Sequence, residues 1–511
     1  MDTQAGRKRA MDMRRTTKPL KVAALAVIAA TLTVPRAAGQ AGPPVKPAAF
    51  DPLKTFAVEA LRADLEVLWD ILEEGHGGFD RYTSRETLRK AFNEAADGLT
   101  APLNEPDYYL RLLPLVAAIK DGHTQLTLTT AASTWLDGRP VFFPFEVRFL
   151  GGKVYLLRNL SSEPSVPDGA ELLAIDGTPI GDIVAALLPL VPSDAGIRTA
   201  RLRRLEHPAS FGRLLALRFG LKESRLVRFR PAGGGKPQEA SVAGLTALGT
   251  VRALRERYPA TAERRPLYEL SFRGATGVLT IRQFGDDPDK ARPRYTDFLD
   301  ESFRALEAKR TSGLVIDLRG NGRGRDEYAK LLFAHVMDRP FLYYWALETK
   351  KDRYDLFKYT DETPEGAAEL ARPLVPNARG RFDVTGHPNR GLQATLTPRF
   401  AGKVAILVDG GSFSATGEVT SAFHYYKKAV FFGEECGSGY YGNTSGFMVT
   451  ATLPATGLRV RVPLVLYQMA VDGYPKDRGI VPDFPVTPTI GDLLAGRDPV
   501  MDKALAYLEK K

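Results

Sequence analysis

From about Pro266 to the C-terminus, short apolar runs with the length of β-strands alternate with segments of helical apolar spacing. Parallel strands need long crossover connections, and a helix is the usual one. The alternation therefore predicts an α/β fold over residues 265–511. The predicted elements are, in order, the strand GVLTIRQF, a helix over Tyr295–Ala308, the strand GLVIDL, a helix over Glu327–Val336, the strand KVAILVD, a further helix and the strand KAVFFGEE.

Two stretches of different character precede this region. Over residues 50–128, leucines and other apolar residues recur at helical spacing, which predicts a small N-terminal helical domain. Over residues 129–264 the apolar runs shorten to strand length and alternate with turn residues, which predicts a β-rich module. Inside the α/β region, the Pro- and charge-rich stretch from about Asp352 to Arg399 has the length of a lid or substrate-facing insertion.

The first 40 residues have the pattern of a signal peptide. A basic stretch that ends at Lys21 is followed by thirteen mostly apolar residues, 22–34, and then by small residues. An apolar run of this length is too short to span a bilayer comfortably, so we expect no membrane span after cleavage near Gly39 to Ala41. Cys436 is the single cysteine of the chain, so an intrachain disulfide is excluded. The sequence predicts a periplasmic or secreted protein.

The net charge of +10 is concentrated in this leader, because the first 50 residues carry nine Lys and Arg against two Asp. The remaining residues are nearly balanced, which excludes a nucleic-acid partner of the usual basic kind. The six histidines are scattered and none forms an HExxH motif, so we expect no metal site. We also expect no cofactor.

A pair of serines stands where a strand runs into a helix. The strand of residues 403–409 continues directly into GGSFSATGE, and helical spacing follows. A serine at such a corner exposes its hydroxyl beside the unpaired N–H groups of the helix N-terminus, where an oxyanion can be held. Ser412 and Ser414 both qualify as nucleophiles by position. The alternative for either is a helix N-cap, a position that serine favours.

A serine nucleophile needs a base, and His123 is the best placed of the histidines. It lies in DGHT, at a junction between helix and strand where a loop can aim an imidazole. His424 is ten residues beyond Ser414 on the same predicted helix, about 15 Å along the axis, which is out of reach. His335 lies in an apolar helix and is interpreted as a core residue. The others are His76, His207 and His387.

A glycine-rich loop follows the predicted strand GLVIDL, with glycines at 320, 322 and 324. The spacing does not match a phosphate-binding loop or a dinucleotide-binding fingerprint. Such a loop either points backbone N–H groups at an anion or simply makes a tight turn. Both interpretations stay open from the spacing alone.

These features together resemble the tail-specific, C-terminal-processing and tricorn-type serine peptidases, whose catalytic domain has a crotonase-like α/β fold. The resemblance runs over most of the chain that follows the leader. The stretch GAELLAIDGTPI also resembles the peptide-binding PDZ modules of such enzymes, which implies a PDZ-like module within residues 129–264. The motifs are DGHT at 121–124, DLRGNGRG at 317–324, GSFSATGE at 411–418, GEECGSG at 433–439 and RGIVPDFPV at 478–486.

The resemblance implies a serine peptidase that cleaves peptides or proteins. It makes Ser414 the nucleophile, and His123 the base as in the tricorn-like branch, although Gly122 replaces the helper serine of that branch. The turn that carries a catalytic lysine in the processing branch has none here, which argues against a Ser–Lys dyad. A distal acid is implied near the C-terminus, with Asp477 and Asp472 as candidates.

The oxyanion donors implied by the resemblance are the N–H of Ala415 and one from the glycine loop, at Gly322 or Gly324. Arg323 stands where the family has a further glycine. Three alternatives remain: an inactive relative that binds peptides or apolar ligands, a scaffold that uses only the PDZ-like module, and a cysteine peptidase based on Cys436. The sequence does not indicate an oligomeric state.

Overall fold

A computed structural model describes residues 50–262, 265–362 and 374–510. The predicted signal peptide lies outside these residues, as does part of the predicted insertion. Within the described residues, none of the helices has both the length and the apolarity needed to cross a bilayer.

The N-terminal region is helical, as its apolar spacing predicts. The side chains of Leu61, Leu65 and Leu68 are buried on one face of the first long helix, because residues three and four apart share a helix face. Its elements are β1 Thr55–Phe56, α1 Val58–Gly75, α2 Arg85–Asp97, β2 Leu103–Asn104, α3 Glu105–Ala118, β3 Gln125–Thr127 and α4 Thr130–Asp137.

The middle segment contains the predicted strands and also helices that we did not predict from the sequence. Its sheet has the order β4-β5-β6-β8-β9, with β7 paired to β6. The helix over Ile180–Leu187 contacts the strand over Ala170–Ile175, and the helix over Pro208–Phe219 contacts the strand over Phe145–Leu150. The elements are β4 Phe145–Leu150, β5 Lys153–Asn159, β6 Ala170–Ile175, β7 Thr178–Pro179, α5 Ile180–Leu187, α6 Arg198–Leu205, α7 Pro208–Phe219, β8 Ser224–Arg230, β9 Gln238–Ala243, α8 Ala247–Arg257 and α9 Pro259–Ala262, with 3₁₀ turns at Leu188–Leu190 and Asp194–Gly196.

The C-terminal region has the predicted alternation of strands and helices. Its elements are β10 Tyr268–Arg273, β11 Thr276–Ile281, α10 Tyr295–Ala308, β12 Gly313–Asp317, α11 Asp326–Ala334, β13 Phe341–Leu342, β14 Tyr344–Thr349, β15 Leu374–Pro376, β16 Phe382–Val384, β17 Leu392–Gln393, β18 Lys403–Val408, α12 Ala415–Tyr425, β19 Val430–Gly433, β20 Gly442–Thr452, β21 Arg459–Met469, β22 Phe484–Pro485, α13 Ile490–Leu494 and α14 Pro499–Glu509, with a 3₁₀ turn at Asp355–Tyr359.

The central sheet of this region has the order β10-β11-β12-β18-β19-β22, and all neighbours from β11 onward are parallel. Alternate residues of β12 and β18 face opposite sides. Val315, Ala405 and Leu407 pack with α14, while Ile316 and Ile406 lie in the main core. Burial on both faces explains the continuous apolar runs of these strands.

A second sheet is built largely by one long hairpin, β20–β21. Its order is β15-β16-β14-β21-β20, and β3 from the N-terminal region pairs with β21. In that pairing Gln125 lies opposite Arg461 and Thr127 opposite Arg459. The segment that carries the DGHT motif is thereby joined to the C-terminal region.

Candidate active site

Three loops meet at one edge of the central sheet. They follow β12, β18 and β19, which are adjacent parallel strands, so their carboxyl ends lie side by side. Such an edge is where ligands bind in parallel α/β sheets. The three loops bring the glycine run, the serine pair and the GEECGSG turn together.

Ser414 has a strained backbone at the start of α12. Its φ is 62° and its ψ is −126°, a conformation that a residue with a side chain rarely adopts. The chain turns sharply from β18 into α12 at this residue, as at the nucleophile elbow of α/β-hydrolases, although the GxSxG pattern is absent. The turn is held by a hydrogen bond of 2.8 Å from the Ser414 N–H to the Ser438 Oγ.

Gly417 lets Ser438 approach the helix. A Cβ at position 417 would overlap with the Cβ and Oγ of Ser438. This close approach gives a structural reason for glycine at position 417.

His123 lies next to Ser414 although the two residues are 291 positions apart in the chain. The His123 Nε2 is 3.1 Å from the Ser414 Oγ. The imidazole packs on the Phe413 ring with a centroid distance of 4.5 Å, and the residue is 7% exposed. Burial lowers the pKa of His123 to about 4, and the nearby Arg204 also lowers it, while Asp121 opposes both effects. The imidazole is therefore neutral at neutral pH.

Asp121 holds the loop that carries His123. Its Oδ1 accepts hydrogen bonds of 2.8 Å from the N–H groups of His123 and Thr124 and one of 2.9 Å from the Thr124 Oγ1. Its Oδ2 accepts from the Thr444 hydroxyl of β20. Burial alone would raise the pKa of Asp121, but the interaction with His76, the charge of His123 and the Thr444 bond hold it well below its usual range.

His76 completes this network. Its Nδ1 accepts the Gly78 N–H at 3.0 Å, so the proton is on Nε2, which lies 2.8 Å from the Thr124 Oγ1. The residue is fully buried. Sequence reasoning gave this histidine no role, because nothing in its own segment points to Thr124, 48 residues away.

The structure does not place Asp472 or Asp477 beside His123. Both carboxylates are exposed on the loop after β21. The His123 Nδ1 is buried and has no hydrogen-bond partner among the described residues, so none of their carboxylates orients the ring through that atom. Asp121 lies beside His123, but it accepts from the backbone N–H of His123 and not from the imidazole.

Gly122 leaves no room for the helper serine that the resemblance implies. A Cβ at this position would lie 2.6 Å from the Phe413 ring and 2.8 Å from the Arg204 Nη2. Arg204 itself donates to the Gly122 carbonyl at 2.9 Å and lies over the Phe413 ring. Phe413 and Arg204 thus occupy the space that the serine would need.

We therefore expect Gly122→Ser to lower kcat/KM, although it restores the residue found in the tricorn-like branch. The new side chain must displace Phe413, on which the His123 ring packs, and a loss of about tenfold or more is expected. Steady-state assays of Gly122→Ser and Gly122→Ala test this. An increase in kcat for Gly122→Ser would show that the site has room for the hydroxyl.

The glycine loop packs against the serine turn. The Asn321 carbonyl accepts from the Phe413 N–H at 2.9 Å and from the Thr416 Oγ1 at 2.8 Å. Among the described residues, no acceptor contacts the N–H of Gly322 or of Ala415. Gly324 has a packing role, since its φ is 141° and a Cβ there would overlap with the Phe284 carbonyl. Arg323 is exposed with an ordinary φ, so the loop accommodates it.

The other candidate nucleophiles have structural roles. Ser412 is fully buried, and its hydroxyl donates to the Leu318 carbonyl at 2.9 Å. Cys436 is also fully buried, its Sγ lies 3.0 Å from the Ser412 carbonyl, and burial raises the pKa of its thiol to about 12. A thiol that stays protonated is a poor nucleophile, so the cysteine peptidase interpretation is not supported.

The other candidate bases also lie elsewhere. The His424 Nδ1 is paired with the Tyr440 hydroxyl at 3.1 Å. His335 stacks on Phe303 in the core, as expected. Among the hydrogen bonds of the described residues, none joins a lysine amine to Ser414.

Asp121, His123 and Asp194 lie close enough together to suggest a metal site, since one ligand atom of each falls within 4.8 Å of the others. Both Asp194 oxygens, however, accept backbone N–H groups, from Gly122 at 2.8 Å and Gly439 at 3.3 Å. The Asp121 oxygens accept four hydrogen bonds. We interpret this cluster as a support for the loop of residues 121–124.

The fold and the geometry of the site together define the class of protein. A strained serine at the end of a parallel strand, a buried imidazole within hydrogen-bonding distance and free backbone N–H groups are the parts that acyl transfer requires. The protein belongs to the serine hydrolases by this combination.

A sequence comparison supports this class. Residues 275–486, which are less than half of the chain, match the sequence model of peptidase family S41. The protein is a serine peptidase. The matched residues include Ser414 and the glycine loop, whereas His123 lies outside them. No curated protein sequence matches the chain.

Two solved structures of mature CPAF show the same fold. Mature CPAF is 16% identical, with 89% of this chain and 96% of that chain covered and a TM-score of 0.58. A structure of mature CPAF complexed with lactacystin has the same identity and TM-score, with 97% of that chain covered. The photosystem II D1 C-terminal processing protease is 13% identical over 84% of this chain and 93% of that chain, with a TM-score of 0.38. The expected α/β fold is confirmed.

Proposed function

We propose that this peptidase cleaves peptide bonds of exported proteins or peptides through an acyl-enzyme on Ser414, with His123 as general base. The observation that carries the proposal is the distance of 3.1 Å between the His123 Nε2 and the Ser414 Oγ. The strained backbone of Ser414 supports it, because strain of this kind persists where the surrounding structure enforces it and is concentrated at functional sites.

In the proposed reaction, the Ser414 hydroxyl attacks the peptide carbonyl while its proton moves to the His123 Nε2. The imidazolium then gives the proton to the leaving amine, and water attacks the acyl-enzyme by the reverse sequence. The N–H groups of Ala415 and Gly322 hold the oxyanion, and one donor of this kind contributes about 3–4 kcal/mol in comparable sites. Asp121 supports the reaction by fixing the backbone of His123.

The proposed substrates follow from the leader. Its basic stretch, apolar run and small residues predict export, and a peptidase that is exported meets exported substrates. A periplasmic or extracellular location is part of this proposal. It is tested by following the mature protein in cell fractions, where retention of the full-length chain in the cytoplasm would contradict it.

We expect an acidic limit of activity at unusually low pH. The base must be neutral to accept a proton, and burial lowers the pKa of His123 to about 4. Activity is then present above pH 4 and lost as the pH falls through this value, whereas an unperturbed histidine would lose it near 6.5. Measuring kcat/KM of a soluble peptide from pH 3.5 to 7 tests this. A midpoint at 6.5 would show that the imidazole is more solvated than its burial implies.

The proposal as a whole is tested with two measurements on the mature chain. A serine-directed phosphonate should label Ser414, as located by mass spectrometry, and Ser414→Ala should not be labelled. Incubation with a mixed peptide library should give products that depend on both Ser414 and His123. A folded protein that is never labelled and retains peptides or apolar ligands instead would support the inactive, ligand-binding alternative.

A further inference from the structure

Glu418 is a buried carboxyl one helical turn after Ser414. It is 2% exposed, and its N–H donates to the Ser414 carbonyl at 3.2 Å. Its Oε1 accepts the Asn443 amide at 2.8 Å, and its Oε2 lies 2.7 Å from the Tyr344 hydroxyl. The proposed reaction does not use this group.

The Tyr344 hydroxyl is shared between two carboxyl groups. It lies 2.7 Å from the Glu418 Oε2 and 2.8 Å from the Asp326 Oδ2. A phenol has one proton and can donate it to only one of these oxygens. The other carboxyl must therefore carry a proton and donate it to the phenol oxygen, because two bare carboxylates would leave one short contact without a hydrogen.

The surroundings indicate which carboxyl is protonated. The Asp326 Oδ2 also accepts the Asn389 amide at 2.9 Å, and the His387 Nε2 lies 3.3 Å away. Glu418 has only Asn443 besides the phenol, and among the described residues no lysine or arginine forms an ion pair with it. The proton thus belongs on Glu418, which donates to Tyr344, which donates to Asp326.

The groups that face Glu418 from neighbouring elements strengthen this assignment. They are Asp326 at the start of α11, Tyr343 and Tyr344 of β14, Asn443 of β20 and Tyr467 of β21. None of them is a cation. Burial and, after it, the negative charge of Asp326 raise the pKa of Glu418 to about 8.

We propose that Glu418 is a positioning residue whose protonated carboxyl joins the helix of Ser414 to Asp326 and the insertion, and whose deprotonation at alkaline pH loosens this helix and lowers activity. On deprotonation the proton passes to solvent, and one hydroxyl is left between two carboxylates. This inference rests on the proposed function, because it requires Ser414 to be the nucleophile.

The substitution Glu418→Gln mimics the protonated carboxyl and removes the deprotonated state. The glutamine carbonyl keeps the acceptor for Asn443, its NH₂ donates to Tyr344 in place of the acid proton, and it cannot ionise. The parent enzyme should lose kcat as the pH rises through 8. Glu418→Gln should stay within about threefold of the parent at pH 6.5 and retain its activity to at least pH 9. Glu301→Gln, at an exposed position on α10, is the matched control and should keep the alkaline loss.

A second measurement does not depend on catalysis. A carboxyl with a raised pKa stabilises the fold at low pH, and its contribution falls as the pH rises from about 4.5 to 8, by up to tenfold in the folding constant per pH unit. Urea unfolding of Ser414→Ala and of Ser414→Ala/Glu418→Gln from pH 5 to 8 should therefore give a steeper decline for the protein that retains Glu418. Infrared spectra of the parent should show a protonated carboxyl band that disappears near pH 8, and this band should be missing from the spectra of Glu418→Gln.

The outcomes are distinct. If activity does not depend on Ser414, the proposed function fails, while unfolding and infrared data still decide where the proton is. If activity depends on Ser414 but Glu418→Gln keeps the alkaline loss, the positioning role is overturned. The absence of a titrating carboxyl band near pH 8 would overturn the protonation of Glu418 itself.

Discussion

Ser414→Ala is expected to reduce kcat/KM by about 10⁴-fold or more, because among the described residues only the Ser414 hydroxyl is hydrogen-bonded to the His123 Nε2. His123→Ala should cause a loss of the same order. The double variant should be little worse than either single variant, since the two groups act as one unit. A fluorogenic peptide assay, with protein purified to exclude contaminating peptidases, measures all three.

Ser412→Ala is the matched control for this experiment. Its hydroxyl lies two residues away in the same turn but donates to the Leu318 carbonyl, so its removal should cost about 1 kcal/mol in stability and less than about tenfold in kcat/KM. If Ser412→Ala abolished activity while Ser414→Ala retained it, the nucleophile would be misassigned.

Asp121→Ala is expected to have the largest effect on stability, a loss of about 3–5 kcal/mol in the free energy of unfolding. The carboxylate is buried and accepts hydrogen bonds from His123, Thr124 and Thr444, so its removal leaves several buried donors unpaired. Because the pKa of Asp121 is well below its usual range, its contribution is present above about pH 4 and is lost in acid.

Urea unfolding at pH 7 checks this value, with Asp97→Ala as the control. Asp97 is exposed at the end of α2, and its removal should change stability by no more than about 0.5 kcal/mol. A loss below 1 kcal/mol for Asp121→Ala would mean that water replaces the carboxylate in the native state. Asp121→Asn should also destabilise, since its NH₂ group would face N–H donors on one side.

Local sequence patterns were sufficient to predict the position of a site residue where that position is set by the helix or strand next to it. The predicted helix over Tyr295–Ala308 has those bounds in the structure, and the strand before Ser414 ends within one residue of its predicted end. Hydrophobic periodicity reports the face of a single element, and that is why these predictions succeeded. The serine corner and the glycine loop could be recognised for the same reason.

The contacts of His123 could not be predicted in this way. Its placement depends on the pairing of β3 with β21, in which Gln125 lies opposite Arg461. The sequence of either strand contains no pattern that indicates this pairing. The roles of His76 and Asp194 depend on the same long-range packing. The expected acids Asp472 and Asp477 followed from the resemblance, and the structure places both on an exposed loop.

The sequence by itself determined the α/β class, the edge of the sheet that carries the serine and the resemblance to the peptidases, because these follow from the apolar pattern within each element and from the order of the motifs along the chain. Only the tertiary structure decided that Ser414 rather than Ser412 lies next to His123, that Phe413 and Arg204 exclude a helper serine and that Glu418 shares a phenol with Asp326. Each of these contacts joins side chains from segments that are far apart in the sequence and that share one buried volume and the same hydrogen-bonding groups. The contacts therefore depend on how the whole chain packs, and the sequence of a single segment does not predict them.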